Sequence, residues 1–316
     1  MILISFVIPV FNNVYKIQKT LNSISKLDAL LTEDYEVVVV DDGSTDPVSR
    51  DDFVYKNAIS IIHNSSNSGP LHARLFGGIN ARGKYIYFVD CGDEIINDSF
   101  ASIIKDLKVN ESDIFVVNTI EKQNNKQWTI FENMPEGKAA LEQILLDIIR
   151  GTAGFTSSLI FKSDIIGDIF AKLSPCPKYI FTEDSFLALV AVDCGHSYFY
   201  TNKIFYLYNR EDSSLSRSIW SIDKTVSYFE ILFYKISFFS TKYTQLYELL
   251  LIHETILCIR NIWQLSKNRE SKIVFKTKFS NKQELKKIFS LKNLFRANLC
   301  LKHFLYACFI KIKYRI

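Results

Sequence analysis

Four short apolar runs, each closed by a polar turn, constrain this chain more than any other feature. Ile4 to Val10, Tyr35 to Val40, Ser60 to Ile62 and Tyr85 to Val89 are largely β-branched or aromatic. After the first run, Val14, Ile17, Leu21 and Ile24 recur at helical spacing behind Asn13, a residue suited to cap the helix. Strands apolar on both faces and separated by helices predict an α/β fold, a mostly parallel sheet covered on both sides. Ligands of such sheets lie beyond the carboxyl ends of the strands. Polar residues gather there: Phe11-Asn12-Asn13 after the first run, Asp41-Asp42-Gly43-Ser44-Thr45-Asp46 after the second, and Asp90-Cys91-Gly92-Asp93-Glu94 after the fourth.

With 48% hydrophobic and 23% charged residues, the 316-residue chain can bury a sizeable core, which excludes disordered and collagen-like architectures. Only 11 glycines and 6 prolines predict short loops, so the glycines within polar turns, Gly43, Gly69 and Gly92, carry weight. Six scattered cysteines without a CxxC pair predict reduced thiols and no zinc site.

Beyond residue 110 the patterns predict a strand over Asp113 to Ile120, an amphipathic helix over Lys138 to Ile149 and a strand over Ser157 to Phe161. Thr182 is placed to cap an apolar helix that opens with Glu183-Asp184 and runs through Phe186 to Val192. From about residue 221 Phe, Tyr, Ile and Lys dominate in helical patterns, a helical C-terminal extension. The chain is expected to divide into residues 1–216 and a basic, aromatic-rich part, 217–316.

The overall charge of +4 hides that division. Residues 1–216 carry 19 Lys and Arg against 28 Asp and Glu, a net −9, whereas residues 217–316 carry 19 against 6, a net +13. A part so basic is expected to meet a polyanion, either nucleic acid or an anionic membrane surface. Leu301, Phe304, Leu305, Cys308, Phe309 and Ile312 form one apolar stripe, with Lys302, His303, Lys311, Lys313 and Arg315 beside it. That pattern suits a helix lying on an anionic membrane, and packing of the helix on its neighbours explains it equally well. Nucleic acid is not expected, because many of the aromatics that could stack bases fall on such stripes. Without a basic leader or an apolar run of about 18 residues, a cytoplasmic protein, peripheral on the inner face of the membrane, is expected.

Two acidic turns at strand ends of one sheet point to chemistry. Asp90 and Asp93 on a tight turn could hold a divalent cation that bridges diphosphate oxygens. The loop Asn67-Ser-Gly69-Pro-Leu-His-Ala-Arg74 enters a helix whose start and arginine could approach a phosphate. Each feature has a plainer account: Asp41, Asp42 and Asp90 as capping residues of turns, Arg74 as a solvated helix-face residue, His72 as a helix-surface or half-buried histidine.

Taken together and in order, Phe6-Val-Ile-Pro9-Val-Phe11-Asn12, Val37-Val-Val-Val-Asp41-Asp42-Gly-Ser-Thr-Asp46, Asn67-Ser-Gly69 with Ala73-Arg74, Gly83-Lys84-Tyr-Ile86 and Phe88-Val-Asp90-Cys-Gly-Asp93 resemble the blocks of family 2 glycosyltransferases with the GT-A fold. The resemblance is strong over residues 3–120 and weaker over 155–216. It implies that Pro9, Phe11 and Asp42 frame the nucleobase of a sugar nucleotide, usually uracil, and that Arg74 and the Gly69 loop lie beside the nucleotide and donor sugar. It further implies that Asp90 and its neighbours hold Mn²⁺ or Mg²⁺ on the diphosphate. Glu183 and Asp184 match the acidic pair facing the acceptor, with Asp184 as general base. Tyr208-Asn-Arg210-Glu-Asp-Ser-Ser214-Leu-Ser216 resembles the segment that closes over the diphosphate, through Arg210.

One position departs from the family, whose metal motif reads Asp-x-Asp-Asp where this chain has Asp90-Cys91-Gly92-Asp93. Rotation of Asp93 into the metal site is the favoured expectation; weak metal dependence and impaired transfer are the alternatives. The implied function is an inverting hexosyltransferase that moves a sugar from a UDP-sugar to a hydroxyl of a glycan or glycolipid acceptor, a bacterial surface glycan such as lipopolysaccharide, lipooligosaccharide or capsule. The rival reading, motivated by Gly92, is a catalytically weak sugar-nucleotide-binding or scaffold subunit of a glycan-assembly complex.

Overall fold

The computed structural model describes the chain except residues 1, 30–34, 56–58, 125, 154, 174–177, 179–180, 211–219, 281, 291–292, 294–306, 308–309 and 311–316. It comprises two compact units, Met1–Lys178 with Glu183–Ser214, and Tyr179–Thr182 with Leu215–Ile316.

The first unit is built on one sheet. Strands β1 (Ile4–Val10), β2 (Tyr35–Asp41), β3 (Ile59–His63) and β4 (Tyr85–Phe88) pair in parallel in the order β3-β2-β1-β4. The sheet continues in mixed sense through β5 (Glu94–Ile95), β6 (Ile114–Gln123), β7 (Lys126–Thr129), β8 (Gly137–Ala139), β9 (Leu159–Lys162) and β10 (Tyr198–Asn209), in the order β4-β9-β6-β10-β5. Strand β9 runs antiparallel to both neighbours, and β10 runs parallel to β6. Helices α1 (Val14–Ser25), α2 (Pro70–Asn80), α3 (Phe100–Asn110), α4 (Leu141–Arg150), α5 (Ser163–Leu173) and α6 (Glu183–Cys194) complete the unit.

The parallel half follows the apolar runs closely, since strands buried on both faces leave no room for polar interruption. Alternate residues of β1 face opposite ways. Phe6 meets Tyr35 at 5.7 Å and Tyr87 at 6.2 Å, while Tyr87 and Phe100 both stack on Phe205, at 5.2 and 5.9 Å. Such ring pairs add about 0.5–1.5 kcal/mol each to the area they bury. On the other face lies α2, which approaches closely because Gly77 has no side chain. A Cβ there would lie 2.5 Å from Val7 Cγ1 and 2.6 Å from Val40 Cγ2.

The structure departs from the expected elements at several points, of which three matter here. Residues 137–139 form β8, so the helix expected from Lys138 begins at Leu141. Asn13 does precede α1, but its side chain donates back to the Phe11 carbonyl (3.1 Å) rather than capping the helix. The twelve-residue β10 was not expected at all. Its irregular register against β6, with shifts between Tyr200, Ile204 and Tyr206, breaks the alternation by which a strand is recognised.

The second unit is helical: α7 (Ile222–Lys242), α8 (Thr244–Leu265), α9 (Arg269–Val274), a π-helical turn at Phe275–Phe279, and α10 (Gln283–Ile288). Its aromatics pack on one another. Phe181 meets Trp220 at 5.3 Å, and Phe229 meets Phe275 at 5.0 Å and Phe279 at 5.1 Å. A partly buried ion pair joins Lys235 and the buried Glu254 at 3.3 Å. Of the stripe expected near the C-terminus, all six residues lie outside the described ones. Among the described residues, no helix is long and apolar enough to cross a membrane.

Gly77→Ala should destabilise the protein by about 1–3 kcal/mol, the range for overpacking a filled core, because the methyls it meets belong to stiff valines. Thermal denaturation measures this. Adding Val7→Ala should recover part of the loss, and an unchanged melting temperature in Gly77→Ala would refute the close approach of α2.

Candidate active site

The polar turns after β1, β2 and β4 are tied to one another by their own residues. Asn12, held at φ +52°, donates its backbone N–H to Ser44 Oγ (3.0 Å) and accepts from Thr45 N–H through Oδ1 (2.9 Å). The Cys91 thiol donates to the Asn13 carbonyl (3.4 Å). Phe11 leaves its ring 40% exposed at this edge, beside the half-buried Pro9.

The two aspartates of the β2 turn are occupied in shaping it. Asp41 accepts from Ser44 N–H (2.9 Å), Val48 N–H (3.0 Å) and His63 Nδ1 (3.1 Å). Burial pushes its carboxyl up, and these bonds outweigh burial and hold it below the usual range. Asp42, buried, accepts from the Asn64 side chain (2.8 Å), Ser68 N–H (3.0 Å) and Gly69 N–H (2.8 Å). Its carboxylate therefore fixes the loop before α2. Gly43 is required beneath it: φ is +74°, and a Cβ would lie 2.6 Å from the Ser66 backbone.

Arg74 is the centre of the site. It is 3% exposed, not the solvated helix-face residue of the plainer account. Its Nη2 meets Asp90 Oδ1 at 2.7 Å, and its Nη1 meets Asp184 Oδ1 at 3.2 Å and Glu183 Oε1 at 3.4 Å. Burial works against its charge, but Asp90, Asp184 and Glu183 more than compensate and raise its pKa. Its Nε is buried with no hydrogen-bond partner. Three of the expected site residues thus converge on a fourth.

Two of these carboxylates remain accessible, the Asp90 side chain 42% exposed and that of Asp184 33%. Thr156, outside every sequence motif, donates its hydroxyl to Asp184 Oδ1 (3.1 Å). Burial raises the Asp184 pKa against the pull of Arg74. Glu183 is raised as well, by burial and then by the neighbouring charge of Asp184. Both open α6, directly after Thr182, a β-branched residue at φ +63°, where backbone strain of roughly 1–3 kcal/mol is stored.

Asp93 does not turn toward Asp90 as a metal ligand. Its Oδ2 accepts from the Tyr206 hydroxyl (2.7 Å) and its Oδ1 from Asn209 N–H (2.8 Å), both on β10. It is buried, and burial followed by the charge of Asp90 raises its pKa well above the carboxylate range. A divalent cation at this turn would find Asp90 as the one exposed carboxylate of the motif, already paired with Arg74. Among the described residues, no group of three His, Cys, Asp or Glu side chains could hold a metal ion. The expected set of Asp90 and Asp93 therefore does not fit a metal centre.

Arg210 lies apart from this cluster's bonds. Its Nη1 pairs with Glu121 at 2.7 Å and its backbone N–H donates to the Lys122 carbonyl (2.8 Å). Residues 211–216 of the segment expected to close over the diphosphate lie outside the described ones. Thr156 and Tyr206 lay outside every expected motif, and Asn209 lay within one but not as a partner of Asp93. For the last two the available signal was the aromatic and β-branched enrichment of residues 198–209.

Comparison with known proteins gives the family and the fold. The chain is 32% identical over 124 residues to an uncharacterized glycosyltransferase of Rickettsia felis, covering 39% of this chain and 20% of that protein. It is 25% identical over 206 residues to the poly(ribitol-phosphate) β-N-acetylglucosaminyltransferase TarS of Staphylococcus aureus, covering 63% of this chain and 35% of TarS. These matches thus span a fifth to about a third of the relatives' length. The crystal structure of S. aureus TarS 1-349 in complex with UDP-GlcNAc superposes with a TM-score of 0.63 at 18% identity, covering 99% of this chain and 89% of that one, which shows a shared fold. The sequence model described as Glycosyl transferase family 2 matches residues 5–165, just over half of the chain. The chain belongs to glycosyl transferase family 2 and has the GT-A fold.

Proposed function

We propose that this protein transfers a sugar from a UDP-sugar to a hydroxyl of a bacterial cell-surface glycan, with inversion at the anomeric carbon. The observation that carries this reading is the guanidinium of Arg74, which gathers Asp90 and Asp184, the two accessible carboxylates, at the carboxyl end of the parallel strands. The exposed ring of Phe11 offers a face for the nucleobase, and the loop shaped by Asp42 offers the start of α2 to the donor.

In the reaction, the acceptor oxygen attacks the anomeric carbon while the bond from that carbon to the diphosphate oxygen breaks. The nucleoside diphosphate leaves with the electron pair, and Asp184 takes the acceptor proton. A single in-line displacement inverts the centre. Thr156 and Arg74 orient the Asp184 carboxylate, and partial desolvation brings it nearer the range where a general base works well. Glu183, raised by burial and by the charge of Asp184, shares the Arg74 guanidinium with the base, which limits like-charge repulsion beside it.

Two observations support the acceptor class. Relatives are named as poly(ribitol-phosphate) glycosyltransferases, and a polymer of ribitol phosphate is anionic. Residues 217–316 carry a net +13, which suits such a polymer, a phosphorylated lipopolysaccharide or an acidic capsule. The same charge would hold the protein on an anionic inner leaflet at about 1 kcal/mol per basic residue near the surface.

Asp184→Asn should lower kcat by about 10²–10⁴-fold, the usual contribution of a general base, with an unchanged circular dichroism spectrum; near-normal turnover would remove Asp184 from that role. The base works ionised and burial raises its pKa, so the rate should fall as pH drops through a value above the ordinary carboxylate pKa of about 4. A kcat/KM profile with no ascending limb above that pH would contradict the assignment. Nucleotide release from a panel of UDP-, GDP-, CDP- and TDP-sugars should identify a UDP-sugar as donor.

A further inference from the structure

The acidic turn after β4 lacks a carboxylate at Gly92, and its backbone would not accept one readily. Gly92 sits at φ +105°, a conformation that L side chains rarely adopt. A Cβ at this position would lie 3.2 Å from Cδ and 3.5 Å from Cβ of Lys16. The space in which the family's second carboxylate would begin is therefore lined by the stem of a lysine, whose ammonium is two bonds beyond that Cδ.

Lys16 is held there by its helix. Lys16, Thr20 and Ser23 fall on one stripe of α1 that faces the turn. Thr20 Oγ1 accepts from Gly92 N–H (2.9 Å) and donates to the Asp93 carbonyl (2.7 Å), and Ser23 Oγ accepts from Ile95 N–H (2.9 Å). At the open end of the stripe, Lys16 N–H donates to the Asn13 carbonyl (3.0 Å), the same oxygen that accepts from Cys91. The Lys16 ammonium lies 5.6 Å from the centroid of the exposed Tyr15 ring. These bonds fix the first turn of α1 against the Asp90-Cys91-Gly92 turn.

The charge balance follows directly. A carboxylate with a bound divalent cation brings a net +1 to the diphosphate, and one lysine brings the same +1 without a metal. Asp93 does not supply the missing carboxylate, because Tyr206 and Asn209 occupy both of its oxygens. We propose that the Lys16 ammonium takes the place of the carboxylate-bound cation, neutralising the diphosphate of the donor and of the leaving nucleotide, so that this protein binds and uses its donor without a divalent metal. The proposal rests on the nucleotide-sugar reading above.

Titration calorimetry of the full chain with UDP, in EDTA and again in Mn²⁺, tests it. Wild-type affinity for UDP should agree within about twofold between the two conditions. Lys16→Met, which keeps the stem over Gly92, should weaken UDP binding by about tenfold or more, as loss of a bond to a charged group does. Its melting temperature should stay unchanged, and Lys16→Arg should recover most of the affinity. Wild-type binding that disappears in EDTA and returns with Mn²⁺ would overturn the proposal, as would undiminished UDP affinity in Lys16→Met. If none of UDP, GDP, CDP and TDP binds in either condition, the nucleotide-sugar reading itself fails and takes this proposal with it.

Discussion

One buried guanidinium organises the chemistry of this protein. Arg74 stands on the second turn of α2 and joins the end of β4, through Asp90, to the start of α6, through Glu183 and Asp184. A charge buried this deeply persists because it is paired, and removing one side of such a pair costs roughly 3–5 kcal/mol. The position of Arg74 depends in turn on Gly77, one turn later on the same helix, whose missing side chain lets α2 settle onto Val7 and Val40. Packing on one face of the sheet thereby sets the geometry at its edge.

The parallel half of the fold was legible because burial on both faces forces uninterrupted apolar runs, and the turns between them announced themselves through Asp, Asn and Gly. Gly43, Gly69 and Gly92 do occupy positive φ, so a scarce glycine in a polar turn was a sound guide. The second half was less legible. Helix α6 is buried through Phe186 to Val192 without a polar face, and only its acidic first turn marked it. Strand β10 gave no clean alternation, and with it went the partners of Asp93, which lie 113 and 116 residues further along the chain. No local pattern reports a hydrogen bond over that distance.

That explains why the site residues could be named while some of their roles could not. A carboxylate in a strand-end turn can be satisfied by backbone N–H groups, by a distant hydroxyl or by a cation, and residue type alone does not distinguish these. Asp41 and Asp42 are satisfied largely by backbone donors of their own and the neighbouring loop, so they act as scaffold. Asp93 is satisfied by β10. Asp90 and Asp184 are different, since each remains partly exposed and is met by side-chain donors, Arg74 for both and Thr156 for Asp184.

The same distinction bears on the departure at Gly92. A motif read as a string of letters records a missing carboxylate, and missing ligands suggest a weakened enzyme. In three dimensions the position is filled: the glycine permits φ +105°, and Lys16 of α1 covers the space that a side chain would need. Electrostatic stabilisation of a leaving group requires preorganised positive charge near the oxygens that acquire it, and it does not require that the charge be carried by a metal. Thr20 and Ser23 hold α1 against the turn, so the lysine is positioned by bonds already made before a donor arrives. A turn that lacks this carboxylate and lies under a lysine stem would, on the proposal above, compensate the diphosphate charge through that lysine.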